Sequence, residues 1–146
     1  MSWDSSIFGL ITVPLAWDGA VELNAAALER LPDEDEYPYL CRSMFGATNQ
    51  SHCYREQAIH FGTTMKALPE FWDKWLVKFE DLLRQMSWFS VTARLETEYF
   101  SNYDYWWIAM DFTPGQPVET WERGEGPWTY AEFKRLRDKE EREGRR

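Results

Sequence analysis

Hydrophobic residues recur first at helical spacing and then at alternate positions within one stretch of the chain, Pro69 to Phe112. The first half has apolar residues three and four positions apart, namely Phe71, Trp72, Trp75, Leu76, Phe79, Leu82, Leu83 and Met86. This spacing predicts an amphipathic helix from Pro69 to Met86. From Phe89 to Glu96 apolar and polar residues alternate, which predicts a β-strand with one face inward. Because Ser87 alone separates the two periods, we expect the helix to fold back over the hairpin.

The hairpin is predicted to turn between Tyr99 and Asp104 and to return from Tyr105 to Phe112. The return strand carries apolar residues in both of its rows. One face of a hairpin that packs on a helix should be more polar than the other. Trp88 and Trp107 are therefore predicted either to lie beneath a further element or to be exposed.

The N-terminal half predicts three strands and a short helix, each bounded by turn residues or proline. Ser6 to Val13 is apolar on both faces, as in a buried strand. Asn24 is the expected N-cap of a helix that ends at Leu31, before Pro32. Alternating patterns predict strands over Tyr39 to Phe45 and Tyr54 to Phe61.

The C-terminal part changes character twice. Residues 113–127 are rich in proline and glycine and predict an irregular arm. Thr129 and Glu132 match a capping box, which predicts a helix whose apolar stripe is Tyr130, Phe133 and Leu136. From Arg137 onward nearly every residue is charged, so this end is expected to fray.

These elements predict an α+β fold. We expect one domain over residues 1–128, with a mostly antiparallel sheet of about five strands packed on one long amphipathic helix. A short helix in the N-terminal half would accompany it. Residues 129–146 would add the C-terminal helix.

Charge narrows the range of partners. The chain has 25 acidic and 16 basic residues and a net charge of −9. A negative surface repels nucleic acid and anionic membranes, and it attracts basic proteins. Met1 to Asp18 lacks the basic start and uninterrupted apolar run of a secretion signal, which indicates a cytoplasmic protein. Free thiols at Cys41 and Cys53 fit that compartment.

Candidate catalytic and metal-binding groups are few. Cys41, His52, Cys53 and His60 lie within one 20-residue stretch, and two thiols with two imidazoles can hold zinc. Their spacing lacks a Cys-x-x-Cys or His-x-x-x-His pair, so we predict no metal and no cofactor. No nucleophile signature or phosphate-binding glycine loop is present. The sequence therefore predicts a protein that is not an enzyme.

Recognition of another protein is the function that these features favour. The acidic loop, Asp33 to Glu36, and the end of the hairpin each combine carboxylates with aromatic rings, a mixture that steers and anchors a basic partner. The predicted partner-binding residues are Asp33, Glu34, Asp35, Glu36, Tyr37, Tyr103, Asp104, Tyr105 and Trp107. The resulting hypothesis is an inhibitor or immunity-type protein that occludes the site of a toxin or another basic protein.

Two alternatives stay open. In the first, the chain is a small enzyme or ligand-binding domain whose aromatic pocket is lined by His60, Glu96 and Trp107. In the second, Trp88 and Trp107 lie on the outer row of the hairpin and contact a second copy of the chain.

Overall fold

A six-stranded antiparallel sheet forms the centre of the protein. The computed structural model describes residues 4–98 and 102–126. Its strands are β1 (Asp4–Pro14), β2 (Phe45–Ala47), β3 (Glu56–Lys66), β4 (Ser90–Thr97), β5 (Tyr103–Asp111) and β6 (Thr120–Gly126). They lie in the order β2-β3-β1-β4-β5-β6. The first strand of the chain is therefore central and pairs with both β3 and β4.

Two α-helices cover one face of this sheet. They are α1 (Ala20–Glu29) and α2 (Trp72–Leu83), and short 3-10 turns span Arg42–Met44, Gln50–His52 and Leu68–Phe71. Residues of both helices belong to the same buried core as the odd-numbered residues of β1, β3, β4 and β5. The rings of Phe79 on α2 and Trp107 on β5 meet edge to face, with centroids 5.3 Å apart. The prediction of an α+β fold with a helix on an antiparallel sheet is confirmed.

The even-numbered residues of β1, β3, β4, β5 and β6 form the opposite face, which we call the outer face. Phe8 and Leu10 of β1 lie there and are partly exposed. The prediction that β1 is buried on both faces was therefore wrong for this row. Trp88 and Trp107, which were predicted either to lie beneath a further element or to be exposed, are both completely buried in the core on the helix side.

The helices begin and end at other residues than predicted. Ala67 has a left-handed backbone (φ 55°) and Leu68–Phe71 form a 3-10 turn, so α2 begins at Trp72 rather than Pro69. The helix α1 begins at Ala20, after Gly19 (φ 80°), which adopts a conformation that glycine reaches without strain. Asn24 is therefore not the N-cap.

The predicted strand from Tyr39 to Phe45 is mostly absent. Its backbone groups bond elsewhere: Leu40 N–H donates to the Asp35 carboxylate, and the Tyr39 carbonyl accepts from the Trp75 indole. These groups are not available to a sheet ladder, and only Phe45–Ala47 pairs with β3.

The strand β3 is longer than predicted, and β6 was not predicted. The chain stays in the sheet beyond Phe61, since Gly62 pairs with Phe8 and β3 continues to Lys66. The strand β6 lies in the arm for which proline and glycine predicted irregular structure. Gly124 allows it to pair there, because a Cβ at this position would lie 2.0 Å from the Trp106 ring. The predicted helix from Thr129 and residues 99–101 of the predicted turn lie outside the described residues.

Candidate functional site

The acidic loop is fixed in place by one lysine of α2. Lys78 Nζ donates to Asp35 Oδ2 at 2.8 Å, to the Glu36 carbonyl at 2.9 Å and to the Pro38 carbonyl at 2.9 Å. Leu40 N–H donates to the same Asp35 oxygen at 2.9 Å. Burial raises the pKa of Asp35, but the hydrogen bonds from Lys78 and from backbone N–H groups outweigh it and hold the pKa below its ordinary value. Asp35 is thus an anchor of the loop.

The other three acids of the loop face the solvent. Asp33, Glu34 and Glu36 are exposed. Asp33 lies 3.4 Å from the Arg42 guanidinium, and both side chains are largely exposed, so this ion pair contributes little to stability. The loop therefore presents three carboxylates on a backbone whose position Lys78 holds.

Tyr37 connects the acidic loop to one end of the sheet. Its hydroxyl donates to the carbonyl of Lys66, the last residue of β3. Its ring meets Phe71 edge to face, with centroids 5.1 Å apart, and Tyr39 in the same way at 5.5 Å. Burial, with the nearby charge of Glu70, raises the pKa of Tyr37. The loop thus ends among half-buried rings.

These rings continue across the start of α2 to the hairpin. Trp72 follows Phe71 in the chain, and its ring centroid lies 4.6 Å from that of Tyr105 on β5. We call Tyr37, Phe71, Trp72 and Tyr105 the aromatic bridge. It joins the acidic loop to β5 although the two are far apart in the sequence.

The ladder of the sheet also places the two predicted patches at one end. Lys66 pairs with Asp4, and Glu98 N–H donates to the Asp4 carbonyl. The first residue of β5, Tyr103, pairs with Leu95 near the same end of β4. Three strand spacings separate β3 from β5, which is about 14 Å. A single partner can therefore contact both patches.

The predicted hairpin residues divide between surface and core. Tyr103 is exposed, and Asp104 lies 3.9 Å from the Arg94 guanidinium. Tyr105 is buried, and burial, with the charge of Glu125, raises its pKa to about 12. Trp107 is fully buried and donates from Nε1 to Glu80 Oε2 at 2.9 Å. Trp107 therefore belongs to the core and offers no surface to a partner.

A cavity of about 430 Å³ opens on the outer face, away from the acidic loop. Its lining includes Phe8, Leu10, His60, Thr92, Arg94 and Asp104. Arg94 is paired with Glu96 at 3.0 Å. Within residues 4–98 and 102–126, no hydrogen bond or ion pair uses the side chains of His60 or Thr92. The cavity is thus mainly apolar, with two polar groups available to a ligand.

The residues proposed for an aromatic pocket do not converge. His60 and Glu96 share the outer face, but they are not level with each other. Leu10 pairs with both His60 and Thr92, and Glu96 lies four residues further along β4 than Thr92. That offset is about 13 Å, and two further strand spacings separate β3 from β4. Trp107 lies on the helix face. Of the three, His60 alone lines the cavity.

Metal binding finds no support in the part of the chain that the structure describes. It contains no group of three or more His, Cys, Asp and Glu side chains that could hold a metal ion. Both cysteines are free thiols, and Cys53 Sγ lies 3.3 Å from the Asn49 carbonyl.

Lys78, Phe71 and Trp72 were not predicted as site residues. The two rings fall on the apolar stripe of the predicted helix, which indicates core. The sequence did not indicate a role for Lys78, because the groups to which it donates lie about 40 residues earlier in the chain.

Comparison with protein-family models, curated proteins and solved structures gave no match to this chain. Among the described residues, no helix has both the length and the apolar character needed to span a bilayer.

Proposed function

We propose that this chain is a non-enzymatic domain that binds a basic protein in the cytoplasm and occludes its functional site, as an inhibitor or an immunity-type protein does. The observation that carries the proposal is the aromatic bridge. It places partly and fully buried rings between the acidic loop and β5, where the exposed Tyr103 lies two residues before Tyr105.

The acidic loop is held in place by hydrogen bonds, so it does not have to become ordered when it binds a partner. Lys78 and the Leu40 N–H fix Asp35 and the following backbone, while Asp33, Glu34 and Glu36 stay exposed. A surface that is already ordered loses less conformational entropy on binding, which raises affinity.

Exposed rings beside the carboxylates provide anchoring area. Tyr39 and Tyr103 are each about two-fifths exposed, and Tyr37 lies half-buried between the loop and the bridge. Tyrosines are frequent in the energetically dominant parts of interfaces, and the acids around them accelerate association with a basic partner.

A two-step experiment tests this proposal. The tagged full chain is first used to capture proteins from the native cell lysate at low and at high salt, and captured proteins are identified by mass spectrometry. The association rate of a captured basic protein is then measured for the triple variant Asp33→Lys, Glu34→Lys and Glu36→Lys. We expect the rate to fall by about tenfold or more at low salt, with a weaker salt dependence.

The control changes the charge equally at the other end of the sheet. Glu22, Asp111 and Glu119 are exposed there, and their replacement by lysine adds the same six charges. We expect this triple variant to lose much less of the association rate. Equal losses would show that only net charge matters and would contradict a site at the acidic loop.

The outer-face cavity favours a second candidate function, the binding of a small, mainly apolar ligand. A volume of about 430 Å³ is within the usual range for small-molecule sites. The uncharged fluorescent probe N-phenyl-1-naphthylamine tests this. We expect saturable binding that Leu10→Glu abolishes and that Val77→Glu, on the exposed side of α2, leaves unchanged. Equal binding by both variants would contradict a ligand site in the cavity.

A further inference from the structure

Part of the outer edge of β3, the side that faces away from β1, has no partner strand in the part of the chain that the structure describes. The strand β1 accompanies β3 along its whole length to Lys66. On the other side, β2 pairs with β3 only from Ile59 to Phe61. The outer edge from Gly62 to Lys66 is therefore open to a further strand.

The pairing on this side shows which backbone groups point out from the open edge. Thr48 N–H, directly after β2, donates to the Ala58 carbonyl at 3.1 Å, so the backbone groups of Ala58 point to the outer edge. This direction repeats at every second residue of a strand, so the N–H and C=O groups of Gly62 and Thr64 also point outward. Among the described residues, the one hydrogen bond that these groups make is a long one, 3.5 Å from the Thr63 hydroxyl to the Thr64 carbonyl.

These backbone groups are accessible. Thr64 is exposed and Gly62 is partly exposed. Ser43 would lie opposite Thr63 if β2 extended in the other direction, but it belongs to the 3-10 turn and is exposed as well. An added strand can therefore lie in line with β2, as far as the Lys66 carbonyl, to which the Tyr37 hydroxyl donates.

We propose that an extended segment of the basic partner pairs with this edge as an added antiparallel strand, with its basic side chains on the acidic loop. The inference rests on the proposed function for the charge of the partner. Antiparallel pairing is the arrangement that β2 already has on the same edge. Main-chain hydrogen bonds to an open sheet edge are a recurring way in which proteins bind extended peptides.

The position of the acidic loop supports this occupant. The Lys78 ammonium and the Trp75 indole of α2 bind the backbone of the loop and of the residues after it, so the loop lies in the helix layer. Tyr37 ties it to the end of the open edge. Alternate side chains of an added strand point toward that layer. Basic residues at every second position of the segment would therefore face the carboxylates of the loop.

The exposed charges beside this end of the edge favour a basic segment over a second copy of the chain. Glu70, whose charge acts on Tyr37, joins the three exposed carboxylates of the loop. Arg42 and Lys66 are exposed as well and offset part of this negative charge. A second copy would bring the same acidic loop and a net charge of −9, so the two copies would repel one another.

A capped peptide of three Lys-Val repeats is the probe for this edge. In antiparallel pairs with Gly62 and Thr64, the peptide residues that point N–H groups at β3 have their side chains on the outer face. With the lysines on the helix side, the valines occupy these positions. N-methylation of the valines removes the N–H groups that face β3, whereas N-methylation of the lysines removes N–H groups that face solvent. The two methylated peptides have the same composition and charge.

Chemical-shift changes at the Gly62 and Thr64 amides of the isotope-labelled full chain measure the binding. We expect saturable changes with the unmodified and the lysine-methylated peptide, and at least about tenfold weaker binding of the valine-methylated peptide. No change at these amides, or equal binding of the two methylated peptides, would overturn the inference. Changes that follow the concentration of the chain alone would also contradict it, since the edge would then pair with a second copy.

Two variants at one position provide a second measurement. Thr64→Pro removes the N–H that points outward and is compatible with an edge strand, whereas Thr64→Val keeps this N–H. We expect Thr64→Pro to bind the peptide at least about tenfold more weakly than Thr64→Val. Equal binding would refute the inference, and if Thr64→Pro does not fold, the methylated peptides decide alone.

The same pair separates this inference from the proposed function. The affinity of a captured basic protein is measured for Thr64→Pro, for Thr64→Val and for the lysine triple variant of the acidic loop. We expect both Thr64→Pro and the triple variant to bind more weakly than Thr64→Val. Full affinity in Thr64→Pro together with a loss in the triple variant would overturn the inference and leave the proposed function standing.

Discussion

Asn24 and Ser87 hold each other through two hydrogen bonds inside the protein. Asn24 Nδ2 donates to the Ser87 carbonyl at 2.8 Å, and Ser87 N–H donates to Asn24 Oδ1 at 2.7 Å. Both residues are buried. The pair joins the middle of α1 to the connection between α2 and β4, and it satisfies two backbone groups that have left the helix and have not yet entered the sheet.

Removal of the Asn24 amide should therefore destabilise the fold strongly. Asn24→Ala leaves a buried N–H and a buried carbonyl of Ser87 without partners, and we expect the free energy of unfolding to fall by about 3 kcal/mol. Urea denaturation measures it. Glu22→Ala, on the exposed side of the same helix, is the control and should cost about 0.5 kcal/mol or less. Similar losses for both variants would contradict the role of the pair.

Replacement of Glu80 should destabilise the protein more than replacement of any other acidic residue of α2. Its carboxylate accepts from the indoles of Trp107 at 2.9 Å and Trp121 at 3.2 Å and from Arg123 at 3.0 Å. In Glu80→Ala the buried Trp107 indole loses its acceptor, and we expect a loss of about 2 to 3 kcal/mol in urea denaturation. The neighbouring Asp81 makes an exposed pair with Arg84, so Asp81→Ala should cost less than about 1 kcal/mol. An equal cost for the two acids would refute this assignment.

Asp35 should make the protein sensitive to acid. Its pKa lies below the ordinary value of 3.8, so the folded chain binds this proton less readily than the unfolded chain. The contribution of Asp35 is therefore present above about pH 4 and is lost as the pH falls through the lowered pKa. We expect Asp35→Asn to show a weaker decrease in the free energy of unfolding below about pH 4 than the unchanged chain. Parallel curves would disprove the linkage.

Tyr105 should make the free energy of unfolding depend on pH in the alkaline range. Burial raises its pKa from 10.0 to about 12, so the folded chain holds the phenolic proton more tightly than the unfolded chain. Its contribution is present below about pH 10 and is lost as the pH rises through about 12. Absorbance at the tyrosinate band during alkaline titration should show one tyrosine fewer ionising near pH 12 in Tyr105→Phe than in the unchanged chain, while Tyr37, whose pKa is also raised, titrates in both. An unchanged absorbance step near pH 12 would assign it to another tyrosine.

The sequence predicted the parts of the fold in which hydrophobic periodicity reports burial directly. Trp75, Phe79, Leu82 and Leu83 of the helical stripe are buried, and the odd-numbered row of β4 faces the core as the alternation indicated. These patterns depend only on neighbouring residues. They can therefore be used for prediction even when the residues that they contact in the fold are unknown.

Contacts between distant parts of the chain were beyond prediction. Asn24 has the residue type of an N-cap, yet its partner is 63 positions away. The glycines that predicted an irregular arm instead let β6 approach the Trp106 ring. At the site, composition identified the acidic loop, but not the lysine that fixes it or the rings that connect it to the hairpin. Those depend on how α2 lies over the sheet.

Because β2 is short, part of the outer edge of β3 is left without a partner strand, and the acidic loop lies beside the end of this edge. Since β2 ends after three residues, no described strand pairs with the outer side of β3 from Gly62 to Lys66. An unpaired strand edge of this kind can recruit the same edge of another molecule and start aggregation. The Tyr37 hydroxyl occupies the Lys66 carbonyl at the end of this edge and keeps the negative loop beside it. We therefore expect the same carboxylates that would attract a basic partner to disfavour edge-to-edge pairing of like molecules.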